Sequence, residues 1–139
     1  MCVAVNYEFE GKDCIPYFPN PYATLPVLRK SGDIQLLPWG RRQSQTGNLP
    51  LGGWARLESI QKGVWDKYFA KPVKLLITRF AEKDIEGKSQ WFALEKGQFI
   101  QGLLAQYDDE CRVYIVTISP EGQHAAHERW PRILMQPCY

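Results

Sequence analysis

The apolar stretches of this chain are short, and their length restricts it to a strand-rich fold. The clearest one, residues 112–119, contains the run Val-Tyr-Ile-Val-Thr-Ile, in which β-branched and aromatic residues favour a strand. A membrane helix needs about 20 consecutive apolar residues, and no stretch approaches that length. The sequence therefore predicts short strands joined by turns and no membrane span.

Other segments have the character of loops or strands. Four prolines between residues 16 and 26 predict a loop and exclude a central strand there, and residues 40–53 read as a second, glycine-containing loop. Further strands are predicted over residues 2–6, 34–39, 73–81 and 132–135, and a hairpin over residues 90–94 and 99–104 with its turn at Lys96-Gly97.

Two helices are predicted. The longer one covers residues 58–70 and would end before Pro72. Four of its apolar residues recur at helical spacing and would share one face: Val64, Trp65, Tyr68 and Phe69. A shorter helix is predicted over residues 120–129, with a proline near its start.

The length of 139 residues fits one domain, spanning residues 1–139. We expect an α+β domain in which a β-rich curved or barrel-like sheet carries one or two short helices. The net charge of +2 is too small to indicate nucleic-acid binding by itself. The N-terminal residues lack the apolar stretch of a signal peptide, so we expect a cytoplasmic protein, and we expect it to be a monomer.

The cysteines and histidines do not indicate a metal site. None of the four cysteines forms a Cys-x-x-Cys pair, which structural zinc sites and redox pairs commonly use, and disulfides are rare in a reducing cytosol. His124 and His127 are close enough to share one helical turn, but no third ligand stands at a recognisable spacing. We therefore predict neither a bound metal nor a cofactor.

Cys2 is distinguished by its position directly after Met1. Methionine aminopeptidases remove Met1 when the next side chain is small, and its removal would expose a 1,2-aminothiol. The amine titrates at about pH 7.7–8.0 and the thiol near about 8.5, so both are partly nucleophilic at neutral pH. An aminothiol condenses with an aldehyde to a thiazolidine, and a ring-opened abasic sugar carries such an aldehyde. The plain alternative is a buried cysteine at the start of a strand.

Two further side chains are candidates for proton transfer. Glu82 directly follows the predicted strand 73–81, where a buried carboxylate could shuttle protons. His127 could act as a general acid or base, or donate a hydrogen bond to an oxyanion. Each residue also fits a structural role, Glu82 as a solvated turn carboxylate and His127 as an exposed or packing histidine.

Basic and aromatic residues are candidates for contact with nucleic acid. Arg56 follows Gly52-Gly53, where a ligand can approach the backbone closely, and its guanidinium suits bidentate phosphate contact. An exposed arginine near a helix start is the alternative. Further candidates for a basic groove or for base stacking are Arg41, Arg42, Arg129, Trp39 and Trp54, with Arg79 and Arg132 as additional cations.

Several short segments gain meaning from their order along the chain. The chain begins Met1-Cys2 and closes with His127-Glu128-Arg129-Trp130-Pro131-Arg132-Ile133-Leu134. Five segments lie between these ends: Pro38-Trp39-Gly40, Trp54-Ala55-Arg56-Leu57-Glu58, Arg79-Phe80-Ala81-Glu82-Lys83, Gln101-Gly102-Leu103 and Val116-Thr117-Ile118. In this order they resemble the motifs of the SOS-response-associated peptidase family, also called abasic-site processing proteins. The closing His-Glu-Arg-x-Pro-x-Ile-Leu string is the most specific similarity.

The resemblance implies a β-rich, barrel-like fold and a role in the response to DNA damage, as a short, divergent, phage-related member. It implies that Cys2 crosslinks covalently to abasic sites in single-stranded DNA and that Glu82 assists ring opening and proton transfer. It further implies that His127 stabilises the intermediate and that Arg56 contacts DNA phosphate. Trp54 stands where the family has asparagine.

Two other functions remain open from the sequence. A non-catalytic module could hold single-stranded DNA through its arginines and exposed tryptophans. A cysteine-type peptidase, acting on its own N-terminus, could use Cys2, Glu82 and His127.

Overall fold

The computed structural model describes residues 2–120 and 129–136. Strands predominate in these residues, and the regular helices among them are the short α1 (Leu57–Gln61) and one 3₁₀ turn (Asp66–Tyr68). The strands are β1 (Ala4–Phe9), β2 (Lys12–Cys14), β3 (Thr24–Leu28), β4 (Ile34–Pro38), β5 (Trp54–Arg56), β6 (Lys71–Leu75), β7 (Arg79–Lys83), β8 (Ser89–Ala93), β9 (Gln98–Tyr107), β10 (Glu110–Ile118), β11 (Trp130–Pro131) and β12 (Ile133–Met135).

The strands form two sheets. The smaller sheet has the order β2-β1-β7-β8. The larger has the order β11-β10-β9-β6-β3-β4, with β12 paired to β9 and β5 paired to β10. The expected β-rich domain is therefore confirmed, and within the described residues its sheets stay open and do not close into a barrel.

Strand β10 lies at the centre of the packing. Val113 and Ile115 belong to the main core cluster, together with residues of the smaller sheet. Tyr114 and Val116 point to the other face of β10 and pack in a second cluster near α1. A strand that is buried on both faces needs a continuous apolar run, which is the pattern from which residues 112–119 were predicted as a strand.

The strand predicted over residues 73–81 is two strands that belong to different sheets. Strand β6 ends at Leu75 in the larger sheet, and β7 begins at Arg79 in the smaller one. Between them, the amide of Leu76 donates to the Pro26 carbonyl and the amide of Thr78 donates to the Asn6 carbonyl. Each end of this crossover is thus hydrogen-bonded to a different sheet, and β7 lies next to β1.

The helix predicted over residues 58–70 is wrong over most of its length. Gly63 has a φ of +82°, and a left-handed glycine after the last helical turn is a common helix end. Beyond it, Trp65 packs on Tyr114 with ring centroids 4.8 Å apart, while Phe69 points outward and is 75% exposed. The apolar spacing of these residues therefore does not correspond to one buried helical face.

Two predicted strand arrangements also differ from the structure. The prediction of a hairpin around Lys96-Gly97 is wrong, because β8 pairs with β7 and not with β9.

The loop predicted for residues 16–26 includes the first part of β3, which lies between β6 and β4. Pro26 lies at the end of the pairing of β3 with β6, just before Val27. Its carbonyl still accepts a hydrogen bond from the Leu76 amide, so the lack of a proline N–H affects only the last position of that ladder.

Neither helix among the described residues is long and apolar enough to cross a membrane. The helix predicted over residues 120–129 lies almost entirely outside the described residues.

Replacing Gly40 with alanine should destabilise the protein far more than replacing Gly11. Both have positive φ, +56° and +77°, which costs an L-residue about 1–2 kcal/mol. At Gly40 the added carbon would lie 2.1 Å from the Gly52 carbonyl oxygen, whereas at Gly11 it would meet nothing within 4 Å. Urea unfolding should show a loss of about 1 kcal/mol for Gly11→Ala and of at least about 3 kcal/mol for Gly40→Ala. Equal losses would contradict the close approach of residues 40 and 52.

Candidate functional site

Cys2 and Glu82 lie together in the interior. Strand β1 pairs with β7 in the antiparallel register Ala4↔Ala81 and Val5↔Phe80. Glu82 directly follows Ala81 on β7, and Cys2 lies two residues before Ala4, so this pairing puts both residues toward the same end of β1 and β7. Cys2 is 0% exposed and Glu82 is 1% exposed. The carboxylate is close enough for its charge to affect the titration of the thiol.

The surroundings of Cys2 keep its thiol protonated. Burial is the largest effect and, together with the negative charge of Glu82, raises the pKa of the thiol to about 12, although the neighbouring Trp54 indole N–H opposes the rise. At neutral pH the folded chain therefore holds a thiol and not the partly ionised sulfur expected from the sequence. A reaction at this sulfur needs a neighbouring base, and Glu82 is the carboxylate that lies beside it.

Trp54 holds the backbone of Cys2 in place. Its indole Nε1 donates a 2.9 Å hydrogen bond to the Cys2 carbonyl oxygen. The indole is half-buried and packs against Phe18, with ring centroids 4.8 Å apart. Trp54 was predicted to stack on bases, but this packing makes it a residue that positions Cys2.

Arg56 is exposed, as a residue that contacts phosphate must be. It is the last residue of β5 and precedes the first turn of α1. Alternate residues of a strand share one face, so Arg56 projects from the same face of β5 as Trp54. An exposed guanidinium therefore lies two residues from the indole that contacts Cys2.

Trp39 and Arg42, two of the predicted DNA contacts, are buried and do not form an exposed surface. Trp39 is 0% exposed, and its Nε1 donates to the Gly53 carbonyl at 3.0 Å. Arg42 donates from Nε to the Phe18 carbonyl and from Nη1 to the Trp39 carbonyl, both at 2.5 Å. Its guanidinium also lies 4.0 Å from the centre of the Phe18 ring. Both side chains fix the loops that enclose the core.

Arg129 and Arg41 also have structural partners. Arg129, a predicted DNA contact, is 4% exposed, forms an ion pair with Glu58 at 3.0 Å and donates to the Thr117 carbonyl at 2.7 Å. Arg41 is half-buried and donates to two carbonyls of its own loop, those of Gln45 and Leu49. Its guanidinium is engaged in closing that loop.

His127, the third predicted catalytic residue, lies outside the described residues, as does His124. The predicted cation Arg132 donates from Nη1 to Gln101 Oε1. Among residues 2–120 and 129–136, no three His, Cys, Asp or Glu side chains are grouped as metal ligands would be.

Sequence reasoning missed Phe18, which connects the parts of this site. Its ring contacts Trp54 and lies edge-on to Trp39, with centroids 5.3 Å apart. Gly53 is required beside it, because a side-chain carbon there would lie 2.6 Å from the Phe18 ring. The sequence feature that could have indicated this role is the aromatic pair Tyr17-Phe18 within a proline-rich segment.

Comparisons of the chain with protein-family models, curated proteins and solved structures found no match.

Alanine substitution should destabilise the protein at Arg42 and leave its stability nearly unchanged at Arg56. Arg42→Ala leaves two carbonyls without their donor, those of Phe18 and Trp39, and each unsatisfied buried group costs about 1–3 kcal/mol. We expect Arg42→Ala to lower the free energy of unfolding by at least about 2 kcal/mol in urea titrations. Arg56→Ala, at an exposed position, should change it by less than about 0.5 kcal/mol. A neutral Arg42→Ala would contradict its structural role.

The charge of Glu82 should slow the alkylation of Cys2. In a variant with serine at positions 14, 111 and 138, Cys2 is the remaining thiol. Its rate of alkylation should keep rising through about pH 10 without a plateau, because its pKa is about 12. Glu82→Gln removes a charge that raises this pKa, so the thiolate fraction and the rate should increase at each pH. Glu10→Gln, at an exposed position, is the control, and equal rates for Glu82→Gln and wild type would contradict the predicted coupling.

Proposed function

We propose that this chain, once Met1 has been removed, captures abasic sites in single-stranded DNA by forming a thiazolidine through Cys2. The observation that carries the proposal is a buried carboxylate, Glu82, beside the buried thiol of residue 2. Placing a carboxylate in an apolar core is costly. Costly titratable pairs of this kind are concentrated at functional sites.

The chemistry is a condensation that releases one water. The Cys2 amine adds to the C1′ aldehyde of the ring-opened sugar, and loss of water gives an iminium ion. The sulfur then adds to the same carbon, and the C–S bond closes the five-membered ring. The thiol proton leaves as that bond forms, and the iminium nitrogen becomes a neutral amine.

Glu82 supplies the base that this sequence of steps needs. The thiol is protonated at neutral pH, because its pKa is raised to about 12, so ring closure requires a proton acceptor at the sulfur. The Glu82 carboxylate takes that proton and returns it during reversal. Since Cys2 is 0% exposed, the site must open to admit the sugar.

Two further residues have roles in this proposal. Trp54 fixes the Cys2 carbonyl through its 2.9 Å hydrogen bond, which limits the directions in which the neighbouring amine can point. Arg56 offers an exposed guanidinium to a backbone phosphate. His127 keeps its predicted role of stabilising the intermediate.

The ordered motifs from Cys2 to Leu134 lead us to propose further that the chain is a divergent member of the SOS-response-associated peptidase family. A cytosolic location fits this proposal, because the reaction needs a reduced thiol. Cys2, Cys14 and Cys111 are free cysteines, as is typical of proteins in a reducing compartment.

The observed contacts weigh against both alternatives. A non-catalytic DNA-binding module would have to work without Trp39, Arg42 and Arg129, which are buried. A cysteine peptidase needs a thiolate nucleophile, usually with a lowered pKa, whereas the pKa of Cys2 is raised.

The proposal predicts a covalent complex that survives denaturation. The protein, verified by intact mass to lack Met1, is incubated with single-stranded DNA bearing one abasic site and run on a denaturing gel. We expect a shifted band with wild type and none with Cys2→Ala. Glu82→Gln should slow band formation by about 10²-fold or more, the typical contribution of a positioned general acid–base group.

Cys14→Ser is the matched control, because it removes a different thiol and should crosslink at the wild-type rate. No band from a protein that lacks Met1 would overturn the proposal. An unchanged rate with Glu82→Gln would remove Glu82 from the mechanism.

A further inference from the structure

The outer face of the smaller sheet carries exposed aromatic side chains. Strand pairing sets Ala4, Ala81 and Trp91 side by side across β1, β7 and β8, and a bridge between Ala4 and Tyr17 extends this row. Directly opposed residues share one face of a sheet, here the face away from the core residue Phe80. Trp91 is 41% and Tyr17 54% exposed, whereas the two alanines are 9% and 2% exposed. Two aromatic rings thus flank a floor of small side chains.

Two cations lie beside this row. Arg79 and Lys83 flank Ala81 on β7, so they project to the same face, and both are exposed. The Arg79 guanidinium carbon lies 5.2 Å from the centre of the Trp91 ring. Its Nε donates to Asn6 Oδ1 at 3.1 Å, which holds the charge in position.

Acidic side chains on this face lie on the far side of Asn6. Glu8 and Asp13 oppose each other across β1 and β2, and the Asn6 amide connects the two charges, because it donates to Asp13 Oδ1 at 2.6 Å and accepts from Arg79 Nε. The two acidic residues therefore lie at the end of the face away from Cys2. The part nearer Cys2 combines aromatic rings with positive charge, which complements a polyanion that also carries flat, stackable groups.

We propose that this outer aromatic face, formed by Tyr17, Ala4, Ala81, Trp91 and Arg79, binds single-stranded nucleic acid. Bases stack on Trp91 and Tyr17, and backbone phosphates lie at Arg79 and Lys83. Three strand spacings separate the two rings, about 14 Å, so they hold two different bases. Every base offers a π-face, so this contact does not depend on sequence.

The inference rests on the proposed function for the choice of DNA as the bound nucleic acid. Ala4 is only two residues from Cys2, so one DNA strand could reach both. Binding of DNA to the outer aromatic face does not require an abasic site. Binding of intact strands can therefore be measured separately from crosslinking.

The test is fluorescence anisotropy of a labelled, intact oligo(dT) with the full chain at several salt concentrations. We expect Trp91→Ala to weaken binding about tenfold or more, given the usual contribution of base–aromatic stacking. Trp91→Phe, which keeps a ring, should bind close to wild type and shows that loss of binding does not reflect misfolding. Replacing Arg79 and Lys83 with glutamine should reduce the salt slope by about 1.4.

Matched controls separate this face from general surface effects. Tyr22→Ala removes a ring that is 87% exposed further along the loop that carries Tyr17. Lys62→Gln removes an exposed cation after α1. Neither substitution should change the affinity. Cys2→Ala should bind intact oligo(dT) like wild type while losing the crosslink, so failure of the two proposals is distinguishable. Unchanged affinity in Trp91→Ala, no binding by wild type, or self-association that is lost in Trp91→Ala would each overturn the inference.

Discussion

The antiparallel pairing of β1 with β7 determines where the chemistry-bearing residues of this chain can meet. It depends on the crossover at residues 76–78, where the chain leaves the larger sheet and the Thr78 amide and hydroxyl both donate to the Asn6 carbonyl. That register carries Glu82 into the core beside Cys2. A carboxylate in such surroundings is stable only if the fold holds it there firmly, because burial of its charge opposes folding. The same pairing places Ala4 and Ala81 on the opposite face, between Tyr17 and Trp91.

The sequence predicts part of this arrangement. The central strand β10 was predictable because burial on both faces leaves a continuous apolar run, and β4 because its residues form a short run bounded by turn residues. The crossover between β6 and β7 was not predictable, because nothing in an apolar sequence indicates where the chain passes from one sheet to another. The long helix failed because Gly63 ends α1 early, and the apolar residues beyond it mimic helical spacing. The meeting of Cys2 with Glu82 followed from a resemblance of motifs, because local pattern does not specify long-range register.

The arginines illustrate a second limit of sequence reasoning. A guanidinium binds a phosphate with the same donors that it offers to backbone carbonyls. Arg42 and Arg129 use those donors to hold loops and strand ends, whereas Arg56 and Arg79 remain exposed. The difference lies in the path of the surrounding chain, above all in Phe18, whose carbonyl and ring both contact Arg42. A DNA-binding surface predicted from arginine positions alone therefore included residues that the fold uses internally.

The account brings the Cys2 thiol, the Glu82 carboxylate and the Trp54 indole together around one reaction at Cys2. Tandem mass spectrometry of the protein after reaction with abasic DNA, followed by nuclease digestion, tests that claim most directly. The account predicts one adduct on residue 2 of a chain that lacks Met1, with a mass equal to protein plus sugar fragment minus one water. An adduct on a lysine, or an unmodified Cys2 in a crosslinked sample, would contradict it.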